Sequence, residues 1–146
     1  MKNFSTVCVD ASLVVRLHDP GQVEHSRVAE LWEEWTIARV ELIAPLLLRY
    51  EVTNAAYRFV RSGAFSEMSG QLLVSSLEGL PIRYVDTYEM HRKAFEFARR
   101  FDTKTSYDGH YVALAEREGA PLITADRKLV NTAQFHYPFV RHVMDE

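Results

Sequence analysis

Cysteine is all but absent. Cys8 stands alone, so no internal disulfide can form, and its place in an apolar run marks a buried thiol. No apolar run approaches the roughly 20 residues of a membrane span. The start, Met1-Lys2-Asn3-Phe4-Ser5, passes straight into a strand-like run without a signal-peptide core. These absences exclude a disulfide scaffold and a helical membrane protein, and make a cytoplasmic protein the expectation. The six glycines never gather into a phosphate-cradling loop, which argues against a nucleotide cofactor. Excess positive charge is missing too. Lys and Arg number 17 against 20 Asp and Glu, for a net charge of −3, so the chain lacks the footprint of a strongly basic nucleic-acid binder.

What is present is the composition of a folded protein, 47% hydrophobic and 25% charged over 146 residues. That length suits a single domain, 1–146, with a real core, and no repeat or linker divides it. Short apolar runs at 6–9, 41–44, 82–85, 121–124 and 139–143 read as strands. Helical spacing fills the gaps between them. Val28, Leu31, Trp32 and Trp35 form one stripe, and Leu48, Val52, Ala55, Ala56 and Phe59 form the next, with Gly63 as its stop. Ser66 opens a helix bearing Met68, Leu72 and Leu73. Thr87 caps one bearing His91, Ala94, Phe95 and Ala98, with His91 expected to pack beside Ala94 and Phe95. Thr105 or Ser106 caps one bearing Tyr111, Val112, Leu114 and Ala115, ended by Gly119, and a short helix covers about 127–133. Strands separated by helices need crossover connections. The expected fold is α/β, a three-layer α/β/α sandwich around a mainly parallel sheet.

Four carboxylates stand where this apolar pattern gives no reason for a charge. Asp10 ends the run Val7-Cys8-Val9, and Asp126 follows Leu122-Ile123-Thr124-Ala125. Ligands of parallel α/β sheets bind outside the carboxyl ends of the strands, so both acids belong on one rim. Glu51 and Asp108 interrupt helical stripes: Leu47, Leu48, Asn54 and Ala55 surround the first, and Tyr111, Val112 and Ala115 follow the second. Asp108 also lies in a first helical turn, where the dipole stabilises an anion by ~0.3–1 kcal/mol. Charges at a core edge are costly unless compensated. The partner that suits an oxygen-only set is a hard divalent cation, Mg²⁺ or Mn²⁺. Two such ions about 3.5–4 Å apart can clamp the attacking and leaving oxygens of a phosphodiester displacement. Setting these four acids aside leaves the rest of the chain at +1 out of the total of −3. Overall acidity therefore does not exclude a nucleic-acid substrate.

The segments carrying these acids resemble the signature blocks of a known family. Val9-Asp10-Ala11-Ser12, Tyr50-Glu51-Val52-Thr53-Asn54-Ala55, Ser106-Tyr107-Asp108-Gly109-His110-Tyr111-Val112-Ala113-Leu114-Ala115 and Thr124-Ala125-Asp126-Arg127 look like those of PIN domains, and most like the VapC-type toxins of type II toxin–antitoxin systems. The likeness spans nearly the whole chain, in the family's order. It implies a Mg²⁺- or Mn²⁺-dependent endoribonuclease whose catalytic and metal-binding set is Asp10, Glu51, Asp108 and Asp126. It further implies an RNA substrate, a homodimer and a cognate antitoxin that occupies the site region. Ser12 and Thr124 match hydroxyl positions that support the acids. Two departures stand out. Gly109 replaces the usual Ala, at a helix-propensity cost of up to ~1 kcal/mol, and Leu129 occupies a position where some relatives carry a further acid.

Other signals are weaker. His18 and His25, or His136 and His142, lack the spacing of a shared metal site. His110 follows Asp108 by two positions and is a candidate substrate contact. Arg127 and Lys128 adjoin Asp126 and are the best-placed phosphate contacts among several basic pairs. Trp32 and Trp35 suit packing or a partner groove. The alternative function is a PIN-like RNA- or protein-binding module without catalysis, against which four retained charges speak. A haloacid-dehalogenase-like phosphotransfer domain wants Asp where Ser12 stands, and a receiver domain wants a late lysine where the chain has Thr124-Ala125-Asp126.

Overall fold

The two apolar runs that end in acids lie side by side at the centre of a sheet. A computed structural model describes residues 3–146. Its strands are β1 (Thr6–Val9), β2 (Glu41–Pro45), β3 (Ile82–Val85), β4 (Leu122–Thr124) and β5 (Val140–His142), all parallel, in the order β3-β2-β1-β4-β5. The helices are α1 (Ala11–Leu17), α2 (His25–Ile37), α3 (Leu47–Ser62), α4 (Glu67–Gly79), α5 (Tyr88–Phe101), α6 (Tyr107–Glu118) and α7 (Arg127–Ala133), followed by a 3-10 turn at Val143–Asp145. The chain begins at the middle strand, builds outward to β3, then returns to lay β4 on the other side of β1. That reversal creates a switch point between β1 and β4, where a crevice opens beyond the strand ends.

Consecutive residues of a strand face opposite sides of the sheet. Val7, Cys8 and Val9 are all fully buried, as are Leu122, Ile123 and Thr124 within about 1%. Both faces of the central strands are therefore covered, as the three-layer α/β/α arrangement requires. The register pairs Cys8 with Leu122 and Val9 with Ile123, which brings Asp10 level with Thr124. Trp32 and Trp35 pack on each other in the core, ring centroids 6.0 Å apart.

Several sequence expectations shift. Helix α1 has only seven residues, too few for a periodic stripe to reveal. The α5 stripe is rotated: Met90, Ala94 and Phe97 are buried, whereas Phe95 lies on the surface and His91 is exposed. Met68 and Leu72 also face outward, because α4 packs on α3 and not on the sheet. Ser66 and Thr87 cap their helices through their hydroxyls as expected. Ser106 occupies the cap position of α6, but its side chain makes no capping bond. Gly109 is a packing requirement. A Cβ there would lie 2.7 Å from the Ala94 Cα and 2.8 Å from its carbonyl oxygen, so its absence lets α5 and α6 touch backbone to backbone.

Candidate active site

The end of β1 and the end of β4 are joined by hydroxyls. Asp10 leaves β1 in extended conformation and caps α1, with Oδ1 accepting from the Leu13 N–H at 3.4 Å. The Ser12 hydroxyl donates to Asp10 Oδ1 at 2.5 Å, and the Thr124 hydroxyl donates to Oδ2 at 2.5 Å. Each hydroxyl oxygen is itself an acceptor. Ser12 Oγ accepts the Ala125 N–H and Thr124 Oγ1 accepts the Asp126 N–H, each at 2.9 Å. Both hydroxyls are thereby aimed at Asp10, and the same two atoms fix the backbone that presents Asp126. Asp126 in turn caps α7, its Oδ1 accepting from Lys128 N at 2.9 Å and Leu129 N at 3.2 Å.

The other two acids arrive from helices. Glu51 projects from the second turn of α3, and its Oε1 accepts a 2.6 Å bond from the hydroxyl of Tyr111, a side chain only 1% exposed. Asp108 lies in the first turn of α6, one helical step before Tyr111. The acids affect one another's ionisation. Burial raises Asp10 to about 7, its hydroxyl and Leu13 N–H donors pull against that rise, and the charge on Asp108 adds to it. Glu51 is raised by burial and by Asp108, with the Tyr111 bond opposing. Asp108 is raised by burial and by Asp126, while Lys128 holds it down. Tyr111 is pushed well above the usual phenol value by burial and by Glu51. The acids thus form one field of mutual repulsion around the switch point.

That field fits a hard divalent cation. Every donor is a carboxylate oxygen, the supporting groups are hydroxyls and N–H groups, and a cation would offset both the burial and the mutual repulsion that together hold three of the acids above their usual range. Among the described residues, no three His, Cys, Asp or Glu side chains close into a ready-made cage. The arrangement is a cluster whose oxygens would have to draw together. Beside it runs a groove of about 700 Å³, lined in part by Ser12, Glu51, Asn54, Arg58 and Tyr107.

Comparison with known proteins covers the stretch of chain that carries this geometry. A family model described as the PIN domain matches residues 7–134, from β1 through α7 and across all four acids. The chain belongs to the PIN domain family. Its relatives include Ribonuclease VapC3 of Pyrobaculum aerophilum, 31% identical over 83% of this chain and 89% of that protein. Ribonuclease VapC12 of Mycobacterium tuberculosis is 34% identical over 61% of this chain and 67% of that protein. Among solved structures, VapC20 of Mycobacterium tuberculosis, described as a sarcin-ricin loop cleaving toxin, superposes with a TM-score of 0.68 at 16% identity, covering 92% of this chain and 98% of its own. PAE2754 from Pyrobaculum aerophilum gives a TM-score of 0.66 at 23% identity, covering 96% and 85%. These structures share the fold.

Within this PIN domain, the basic and histidine candidates divide. Arg127 turns away from the acids. Its guanidinium pairs with Asp145 at 2.7 Å and donates to His142 Nδ1 at 2.8 Å. The sequence expectation made Arg127 a substrate contact; in the structure its guanidinium is engaged by the carboxylate near the chain's end. Lys128 faces the site closely enough to hold Asp108 down. His110, the other candidate substrate contact, is engaged likewise. It is buried, with Nδ1 against the Ser106 carbonyl at 2.9 Å and Nε2 against His91 Nδ1 at 3.0 Å, and His91 reaches Asp86 at 2.7 Å. Those bonds tie α6 to α5 and commit both ring nitrogens of His110 to protein partners. Tyr111 is the residue that sequence reasoning placed only in an apolar stripe. The available signal was its hydroxyl, since a buried Tyr O–H needs a partner.

Proposed function

We propose that this PIN domain is a metal-dependent endoribonuclease, the toxin of a type II toxin–antitoxin pair. The observation that carries the reading is the coupled set Asp10, Glu51, Asp108 and Asp126 at the switch point of the sheet. The VapC3 and VapC12 ribonucleases, related over 83% and 61% of this chain, support the RNA substrate. The four carboxylates are the groups that would hold Mg²⁺, with Mn²⁺ as its substitute. When bound there, a divalent ion supplies an activated water and neutralises charge on the phosphodiester.

The chain's own residues do the rest. Ser12 and Thr124 hold Asp10 in one orientation and keep it an acceptor, each through its hydroxyl proton. Tyr111 fixes Glu51 through Oε1, which leaves Oε2 with no protein hydrogen-bond donor among the described residues. Asp126 is likewise committed at Oδ1 and open at Oδ2. These open oxygens are the places where a proton from water can be taken up. The exposed Tyr57, Met68 and Leu72 on α3 and α4 support protein partners, a cognate antitoxin and a second copy of the chain, and we place the protein in the cytoplasm.

The test is cleavage of a mixed-sequence single-stranded RNA with Mg²⁺ or Mn²⁺ against EDTA, for the wild type and Asp10→Asn. Cleavage only by the wild type with metal is expected. Equal cleavage by both proteins, or cleavage in EDTA, would overturn the assignment, and binding without cleavage would mark a binding module instead.

A further inference from the structure

The turn of α6 that carries Asp108 lacks the usual local restraints. Ser106 stands at its cap position, yet the side chain makes no capping bond, so the first N–H groups of the helix go without that acceptor. The residue after Asp108 is Gly109, whose backbone is the freest of any residue type. The charge on Asp126 also presses on Asp108, which acts to push the turn away from the rim. A restraint reaches this turn from outside α6. His110, two residues past Asp108 and only 9% exposed, donates from Nδ1 to the Ser106 carbonyl at 2.9 Å. That bond runs from one side of Asp108 to the other. A carbonyl only accepts, so Nδ1 is the donor and Nε2 is left as the acceptor. The His91 Nδ1–H fills it at 3.0 Å, and the two rings meet edge to face with centroids 4.9 Å apart. His91 is anchored in turn through Nε2 to Asp86 Oδ1 at 2.7 Å, and Asp86 directly follows β3. Three bonds therefore lead from the edge of the sheet to the turn that presents Asp108. The Asp86 and His91 side chains are each 54% exposed, and an exposed pair of this kind adds little to stability. Its effect is on position.

We infer that His91 and His110 are positioning residues for Asp108: the relay from Asp86 holds the first turn of α6 so that the Asp108 carboxylate keeps its place beside Asp126, and the affinity of the four acids for a divalent ion depends on it. The inference rests on the cation-site reading and adds to it two residues from outside the acid set. Partners that orient a ligand shape its affinity almost as much as the ligand's own identity does. Gly109 belongs to the same device. A Cβ there would lie 2.7 Å from the Ala94 Cα, so the bare backbone brings α5 close enough for the His91 ring to reach His110. The freedom that glycine gives the turn is taken back by the bond that its small size permits.

The experiment uses the full chain at pH 7 and substitutes the exposed position 91, where no cavity opens. His91→Leu removes the donor to His110, whereas His91→Gln offers an amide N–H in its place. Three quantities are read: the Mn²⁺ dissociation constant, hydrogen exchange of the amides at 110–112 in EDTA, and Tm. His91→Leu is expected to bind Mn²⁺ about tenfold more weakly and to exchange those amides several-fold faster, with Tm changed little. His91→Gln should return both quantities to within about threefold of the wild type, because it restores the bond and not the ring. A cross-link that served stability alone would lower Tm in His91→Leu and leave Mn²⁺ affinity untouched, and that result overturns the inference. Equal weakening in His91→Leu and His91→Gln also overturns it, since the donor to His110 would then be irrelevant. If both variants bind Mn²⁺ as the wild type does, the relay does not position Asp108, although the cation site stands. A wild type that binds no Mn²⁺ overturns the cation site and the inference together.

Discussion

Replacing Asp10 by Asn should make the metal-free protein more stable. Asp10 is 6% exposed and its ionisation is raised from 3.8 to about 7, mainly by burial. The unfolded chain releases this proton near 3.8, so between about 4 and 7 the folded state holds a proton that the unfolded state does not. Stability therefore falls as pH rises through that window, and the full cost applies above pH 7. Each tenfold change in proton affinity is worth about 1.36 kcal/mol, which puts that cost at about 4 kcal/mol. Asn occupies the same volume without the charge. Its amide can donate to Thr124 Oγ1, whose proton then turns toward Ser12 Oγ, 3.3 Å away. Because some of the hydroxyl bonding is lost, the expected gain is about 2–4 kcal/mol at pH 8, or about 6–13 °C in Tm for a chain of this size. The gain should shrink below half by pH 5, where Asp10 is protonated in the folded wild type. Thermal unfolding in EDTA at pH 5 and pH 8 reads this directly. The reasoning is refuted if Asp10→Asn lowers Tm at pH 8, or if the change is the same at both pH values.

The remaining expectations concern the same residues. Metal affinity should weaken as pH falls below about 7, because Asp10 must release its proton to bind; Mg²⁺-induced stabilisation that is flat from pH 8 to pH 5.5 would contradict this. Tyr111→Phe removes only the hydroxyl that fixes Glu51, so the Mn²⁺ dissociation constant should rise about tenfold with Tm changed little; calorimetric titration decides between that and no effect. Gly109→Ala adds helix propensity. Its Cβ nevertheless meets the Ala94 backbone at 2.7 Å, so the net result should be a loss of about 1–3 kcal/mol, read by urea denaturation. A more stable Gly109→Ala would show that α5 and α6 can separate freely.

Much of this structure could be read from the chain because its signals are local. Strands at 6–9 and 82–85 and the helix at 127–133 fall where apolar runs and caps placed them. Asp10 and Asp126 could be set on one rim from strand ends alone. Their adjacency could not, since it depends on β1 and β4 being neighbours, a property of long-range pairing. The misread helix faces share one cause. Helix α4 packs on α3, so Met68 and Leu72, apolar and correctly spaced, still face solvent. The α5 stripe was set by Met90 and Phe97, not by Phe95, because α5 meets α6 at the bare backbone of Gly109. Arg127 and His110 were placed near the site by sequence proximity alone. Distant partners, Asp145 and His91, claim them.

The central claim is that four separated acids act as one cation site. It is tested most directly by counting Mn²⁺ bound to the wild type and to Asp10→Asn, Glu51→Gln, Asp108→Asn and Asp126→Asn, using the electron paramagnetic resonance signal of free Mn²⁺ at pH 8. The wild type should bind Mn²⁺ saturably, and each variant should bind it at least tenfold more weakly while remaining folded. A wild type that binds none, or four variants that bind as tightly as the wild type, would contradict the account.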